Sequence, residues 1–261
     1  MKLHVLFAAM LSCLLLLGTP NLSNAQNIVV PNSLASVEGN SNNGFPFNIT
    51  GAGGLSSQRY QQVYAASQFS SITSPTLISA ISFRPDGDFG TSFSSTLSSI
   101  QINLSTTVAA PDGLSTTFAS NIGGNDTQVY SGSLTLSSTN TGGPPRNFDI
   151  VITLQTPFLY DPSVGNLLMD VRNFGAGTTT QFDAEVTSGD SISRVFTFGS
   201  GVGSATGDTA DSSGLITQFT FAAVPEPTTW ALIGVGTLGT GVYAWRKKRL
   251  ATKAGMAKLK V

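Results

Sequence analysis

Apolar and polar residues alternate along much of this chain. In the stretch 99–106 (SIQINLST), Ile100, Ile102 and Leu104 mark one face, while Gln101, Asn103 and Ser105 mark the other. A period of two belongs to a strand with one side against a core and the other against water. The same reading gives strands at 76–84, 147–155, 166–174, 181–187, 191–198 and 215–221, the last carried less regularly by Ile216, Phe219 and Phe221. Between them stand turn formers: Pro85-Asp86-Gly87-Asp88, Pro111-Asp112-Gly113, Gly123-Gly124-Asn125-Asp126 and Gly142-Gly143-Pro144-Pro145. Proline presets φ, glycine permits positive φ, and Asx side chains bond nearby backbone. No long 3.6-residue apolar period interrupts this region, and only 59–69 suggests a helical turn. Eight to ten strands with such turns predict an all-β fold, a jelly-roll-like β-sandwich over residues 26–223.

A Ser/Thr/Gly-rich, weakly charged composition would also suit an unfolded stalk. The aromatics decide otherwise. All but Phe7 of the 16 phenylalanines lie between Phe45 and Phe221, many at alternating strand positions, and such an apolar load calls for a core. Charge is unevenly placed beneath a formal net of -1. No lysine occurs between Lys2 and Lys247, so Arg59, Arg84, Arg146, Arg172 and Arg194 supply the positive charge of the main domain. A domain of this acidic balance has no electrostatic footprint for nucleic acid.

Both ends depart from the strand pattern. Lys2, the apolar run 5–17 and the small residues Ser23-Asn24-Ala25 read in order as a secretory signal peptide over residues 1–25, cut between Ala25 and Gln26. Its removal takes away His4 and Cys13, the only histidine and the only cysteine. Zinc sites built on Cys and His, Ser-His-Asp and Cys-His nucleophiles, and disulfides are thereby excluded from the mature chain. No cofactor is expected.

Near the other end, residues 228–245 carry no charge. As a helix these 18 residues are ~27 Å long, close to the ~30 Å hydrocarbon thickness of a bilayer. Trp230 stands near one end and Tyr243 and Trp245 at the other, where amphipathic rings favour the membrane interface. Arg246, Lys247, Lys248 and Arg249 follow at once and are expected to stay in the cytoplasm, with the main domain across the membrane. Gly234, Gly236 and Gly239 spell G-x-G-x-x-G, but no βαβ unit and no acidic residue about 20 positions later accompany them, so a dinucleotide reading is rejected. Small residues instead allow close packing of a membrane helix.

Val224, Pro225, Glu226 and Pro227, then the apolar span, then the basic block, resemble the PEP-CTERM sorting signal of Gram-negative bacteria. The resemblance covers residues 224–250, and the basic tail 251–261 runs longer than the family's usual end. It implies export across the inner membrane, transient anchoring in the lipid bilayer, and processing near Pro225-Glu226-Pro227 by an exosortase. Delivery to the cell surface or extracellular matrix follows, with a link to exopolysaccharide and biofilm. The prolines also keep the tripeptide extended and short of backbone donors, which leaves it accessible.

Candidate chemistry in the main domain is sparse. Asp86 and Asp88 could offer oxygens to Ca²⁺, although the rest of a calcium loop is missing and a solvated turn is the plainer reading. Asp149, Asp170, Asp183 and Glu185 could include a glycosidase pair, against the expectation that they occupy solvent-facing strand positions. Tyr60, Tyr64, Tyr130 and Tyr160 are the aromatic candidates for a carbohydrate-binding face. The expected function is therefore that of a non-enzymatic exported surface protein. The alternatives are a carbohydrate-binding module and a carboxylate-dependent glycoside hydrolase.

Overall fold

Alternating side chains become strands because each strand buries one row and leaves the other to water or covering loops. The computed structural model describes residues 25–222. They form thirteen strands: β1 (Gln26–Val30), β2 (Ser41–Asn43), β3 (Gln58–Tyr64), β4 (Thr76–Phe83), β5 (Phe93–Thr107), β6 (Thr127–Ser138), β7 (Ile150–Tyr160), β8 (Asn166–Asn173), β9 (Phe182–Val186), β10 (Ile192–Phe196), β11 (Thr209–Asp211), β12 (Ser213–Leu215) and β13 (Thr217–Ala222). Helical structure here is confined to α1 (Ile49–Gly53) and the 3-10 turns Asn32–Leu34, Ala66–Phe69 and Phe118–Asn121. The fold is all-β.

Three sheets result, with orders β1-β13-β4-β7, β11-β10-β3-β8-β5-β6 and β12-β9-β2. Their pairings are antiparallel throughout. If β1, β3, β4, β5, β6, β7, β8 and β13 are taken as first to eighth, the first sheet reads 1-8-3-6 and part of the second 2-7-4-5. The chain thus crosses repeatedly between two sheets, and the first strand lies beside the last, with Gln26 opposite Phe221.

The core lies between these sheets. From the first come Ile28, Ile81, Ile152, Phe219 and Phe221; from the second come Tyr64, Ile102, Leu104, Met169 and Val171. Rings meet edge-on: Tyr64 on Phe219 at 4.9 Å between centroids, and Phe69 on Tyr160 at 5.1 Å. Offset and edge-to-face contacts are the favoured ones for aromatic rings. In β7 the alternation is plain, with Ile150, Ile152 and Leu154 buried and Val151 and Gln155 exposed.

Two expectations are corrected. The helical turn over 59–69 is instead strand β3 followed by the 3-10 turn Ala66–Phe69. Every residue of β3 is buried, although Gln58, Arg59, Gln61 and Gln62 are polar. They tolerate burial because each is bonded: Gln62 closes both ends of its amide on the Leu215 backbone, and Gln61 bonds Asp170 and the Phe118 carbonyl. The number of strands also exceeds eight to ten, because short polar strands such as β2, β11 and β12 carry no apolar signal.

One further contact joins the two sheets at their rim. Gln155 of β7 accepts from the Ser131 N–H and donates to the Ser131 carbonyl, so a side-chain amide stands in for a strand partner of β6.

Candidate functional site

The last described strand is an inner one of its sheet. Strand β13 lies between β1 and β4, and its Phe219 and Phe221 are buried. It ends at Ala222, just ahead of Val224, Pro225, Glu226 and Pro227. Ala25 directly precedes β1, and Gln26 is its first residue. The two ends of the described fold are therefore neighbours in one sheet. The sorting tetrapeptide, Trp230, Tyr243, Trp245 and the block Arg246, Lys247, Lys248 and Arg249 lie outside the described residues, as does the predicted spanning segment. Among the described residues, no helix is long and apolar enough to cross a membrane.

A second candidate assembles from distant parts of the sequence. Asp86 opens a turn in which its Oδ1 accepts the N–H groups of Asp88 (3.0 Å) and Phe89 (2.7 Å). The Asp86 N–H is in turn held by the Gln181 carbonyl, which sets the turn against the start of β9. Glu38, Asp86 and Asp183 each bring a carboxylate oxygen within 4.8 Å of the others. Asp183 takes the Arg84 guanidinium at 2.6 Å and the Gly39 N–H at 3.0 Å, and Glu38 takes the Gly87 N–H at 2.7 Å. Gly39 suits this place because a Cβ there would collide with the Ala184 carbonyl. Arg84 also donates to the carbonyls of Leu34 and Val37 and lies over the Phe148 ring. An oxygen-only group of this kind is what a hard cation accepts. Of the expected pair, Asp86 joins it and Asp88 does not; Glu38 and Asp183 stand in its place. Most of these oxygens already serve as hydrogen-bond acceptors, which makes the group a junction between the 34–39 loop, the 85–90 turn and β9.

Its electrostatics can be tested. Burial drives the Asp183 carboxyl up to about 7, against the pull of Arg84 and with the Glu38 charge adding to the rise. Burial likewise raises Asp190 to about 6. An acid that titrates higher when folded holds a proton that the unfolded chain has lost, so its stabilisation is complete below the ordinary value of 3.8 and disappears as pH rises through 7. Asp208 is shifted downward by bonds from Phe198 and Ser200 and acts only below that window. Thermal melting is expected at a higher temperature at pH 4.5 than at pH 7.5. Asp183→Asn removes most of that difference and Asp190→Asn a smaller part; an unchanged profile in both variants contradicts the assignment.

The remaining carboxylates and tyrosines have structural partners. Asp170 and Asp183 are buried rather than solvent-facing, because Arg59 and Arg84 neutralise them at 2.5 and 2.6 Å. Asp149 accepts from Thr139, and Glu185 from Asn40 and Thr187. Tyr60, Tyr64 and Tyr160 are fully buried, so they offer no platform to a sugar, and burial raises their hydroxyl pKa. Tyr130 is partly buried against the core, with its hydroxyl on the Ser133 carbonyl.

Residues 223–249 match the family model of the PEP-CTERM protein-sorting motif. The chain carries a PEP-CTERM sorting signal. Such a signal directs exosortase-processed export and membrane-associated sorting. The PEP-CTERM match begins at the residue after β13 ends, so the signal and the sandwich abut without overlap. No curated protein matches the chain. Glu38 was not legible from sequence, since it lies 49 residues from Gly87 and 145 from Asp183, with no local motif to mark it.

Proposed function

We propose that this is an exported, non-enzymatic cell-surface or matrix protein whose passenger is a jelly-roll sandwich and whose delivery depends on its PEP-CTERM signal. The observation that carries this reading is the sorting-motif match at residues 223–249, placed directly after the last strand. The 1-8-3-6 and 2-7-4-5 strand orders support the jelly roll, whose eight strands are wound as two Greek keys. Residues 1–25 act as the signal peptide, and cleavage after Ala25 releases a chain that enters β1 at once. Residues 228–245 anchor the precursor in the bilayer, and the Arg246–Arg249 block holds its end in the cytoplasm. An exosortase then cuts near Pro225-Glu226-Pro227 and passes the sandwich to the surface or the exopolysaccharide matrix. The absence of histidine, cysteine and lysine from residues 25–222 leaves no activated nucleophile of the common kinds, which supports a non-enzymatic role.

Glu226→Ala tests this reading in cells that express an exosortase. Full-length precursor is expected to accumulate in the membrane fraction while the surface and released fractions fall, as read by immunoblot of separated fractions. Normal processing and surface delivery of the variant would overturn the sorting role.

A further inference from the structure

Cations in the sandwich are few, and nearly all are engaged. Arg59, Arg84 and Arg194 pair with Asp170, Asp183 and Asp211, and Arg146 donates to the carbonyls of Gly142 and Gly87. Among the described residues Arg172 alone of the arginines makes no side-chain hydrogen bond or ion pair. It is partly exposed on β8, on the face of the six-stranded sheet turned away from the core. This orientation follows from alternation, since Leu167, Met169 and Val171 point into the core.

The register shows what surrounds it. Arg172 lies opposite Arg59 of β3 on one side and Gln101 of β5 on the other, and Gln101 lies opposite Ser131 of β6; one row along, Asn103 lies between Asp170 and Gln128. Directly opposed strand residues have Cβ atoms about 5 Å apart. Gln101 Nε2 donates to Asn103 Oδ1 at 2.8 Å, and Asn103 Nδ2 donates to Asp126 at 2.9 Å, so the amides form an ordered chain along β5 that ends just ahead of β6. The Phe174 N–H bonds the Ser99 carbonyl, which extends the β5–β8 ladder by one residue and puts the Phe174 ring on the Arg172 face. That ring is 47% exposed, well beyond what a core aromatic shows. The neighbouring part of the face is already covered, because Phe118 lies over Arg59 at 4.5 Å and closes the Arg59–Asp170 pair.

We infer that the open strip formed by Arg172, Phe174, Gln101, Asn103 and Gln128 is a binding surface for an acidic polysaccharide. The Arg172 guanidinium is a planar fork that matches a uronate carboxylate through paired hydrogen bonds. The Phe174 ring offers an apolar face to the C–H side of a sugar. The amides both donate and accept, as sugar hydroxyls require. A polyanionic peptide fits less well: in an acidic domain a single guanidinium does not select by charge, and a peptide such as polyglutamate offers neither a C–H sugar face to the Phe174 ring nor hydroxyls to the amides. One guanidinium beside one ring and a row of amides suits one carboxylate per sugar. The inference rests on the export reading for where such a glycan is met, but its test needs no sorting.

The test is titration calorimetry of the full chain in detergent with polygalacturonate, neutral dextran and polyglutamate. Saturable binding of polygalacturonate alone is expected. Arg172→Gln and Phe174→Ala each weaken it by about tenfold or more, in line with loss of a bond to a charged group. Arg172→Lys, which keeps the charge without the fork, retains part of the affinity and serves if Arg172→Gln unfolds. Phe89→Ala, an exposed aromatic on the 85–90 turn, leaves binding unchanged. Failure to bind polygalacturonate, undiminished affinity in the Arg172 and Phe174 variants, or equal binding of polyglutamate overturns the assignment. A chain that sorts normally yet binds nothing overturns this inference alone; one that binds but is not processed overturns only the export reading.

Discussion

A chain truncated after Ile216 is expected to show no cooperative unfolding transition, whereas one truncated after Ala223 keeps it. Among the described residues, strand β13 is the only hydrogen-bonded neighbour of β1 and one of two for β4, so its removal opens the first sheet through the middle. With it go Thr217, Phe219 and Phe221, all buried, and Phe219 packs on both Tyr64 and Phe69. Loss of one buried phenylalanine side chain alone costs about 3–5 kcal/mol, and two such losses approach the roughly 5–15 kcal/mol by which whole domains are stable. Urea melts followed by circular dichroism distinguish the outcomes. A sharp transition in the shorter chain would mean that the final strand is an accessory rather than part of the core. The contrast also separates two neighbouring roles, since the sorting signal begins at residue 223, where the folding requirement ends.

Arg84→Met is expected to destabilise the sandwich by about 3–5 kcal/mol, which lowers Tm by roughly 10 °C in a domain of this size. The Arg84 and Asp183 side chains are 1% and 0% exposed, so methionine leaves Asp183 without its counter-charge and without water, and its carboxyl, already raised by burial, must take up a proton to stay buried. The carbonyls of Leu34 and Val37 lose their donor as well. The double variant Arg84→Met with Asp183→Leu is expected to recover much of the loss, because replacement of both members of a buried pair by apolar groups is often neutral. A double variant as unstable as the single one would place the cost in packing rather than in charge. Scanning calorimetry at pH 8 reads both directly, and Arg172→Gln, on an open face, provides the comparison with little expected change.

The parts of this architecture legible in the sequence are those where burial follows local pattern. Ile100, Ile102 and Leu104 point into the core as their alternation predicts, and β4, β7, β8, β9 and β10 fall close to their expected places. Strand β3 escaped because QRYQQVY reads as polar, while its burial depends on partners such as Asn121 and Leu215, 60 and 153 residues away. The carboxylate junction escaped for the same reason: Asp86 could be read as a turn, but only the tertiary fold brings Glu38 and Asp183 to it. Arg172 and Phe174 carry no motif either, and their shared face becomes visible only from the β5–β8 register. The sorting signal, by contrast, is written in consecutive residues and needs no fold to be read.

The hold of Gln155 on Ser131 bears on how this molecule meets other copies of itself. Strands at a sheet margin invite like strands from neighbouring copies, and growth by such pairing leads to fibres. By satisfying both backbone groups of Ser131 with its own amide, the protein removes that invitation at this point of the β6 edge. A like strand from another copy would meet a break in the ladder at Ser131.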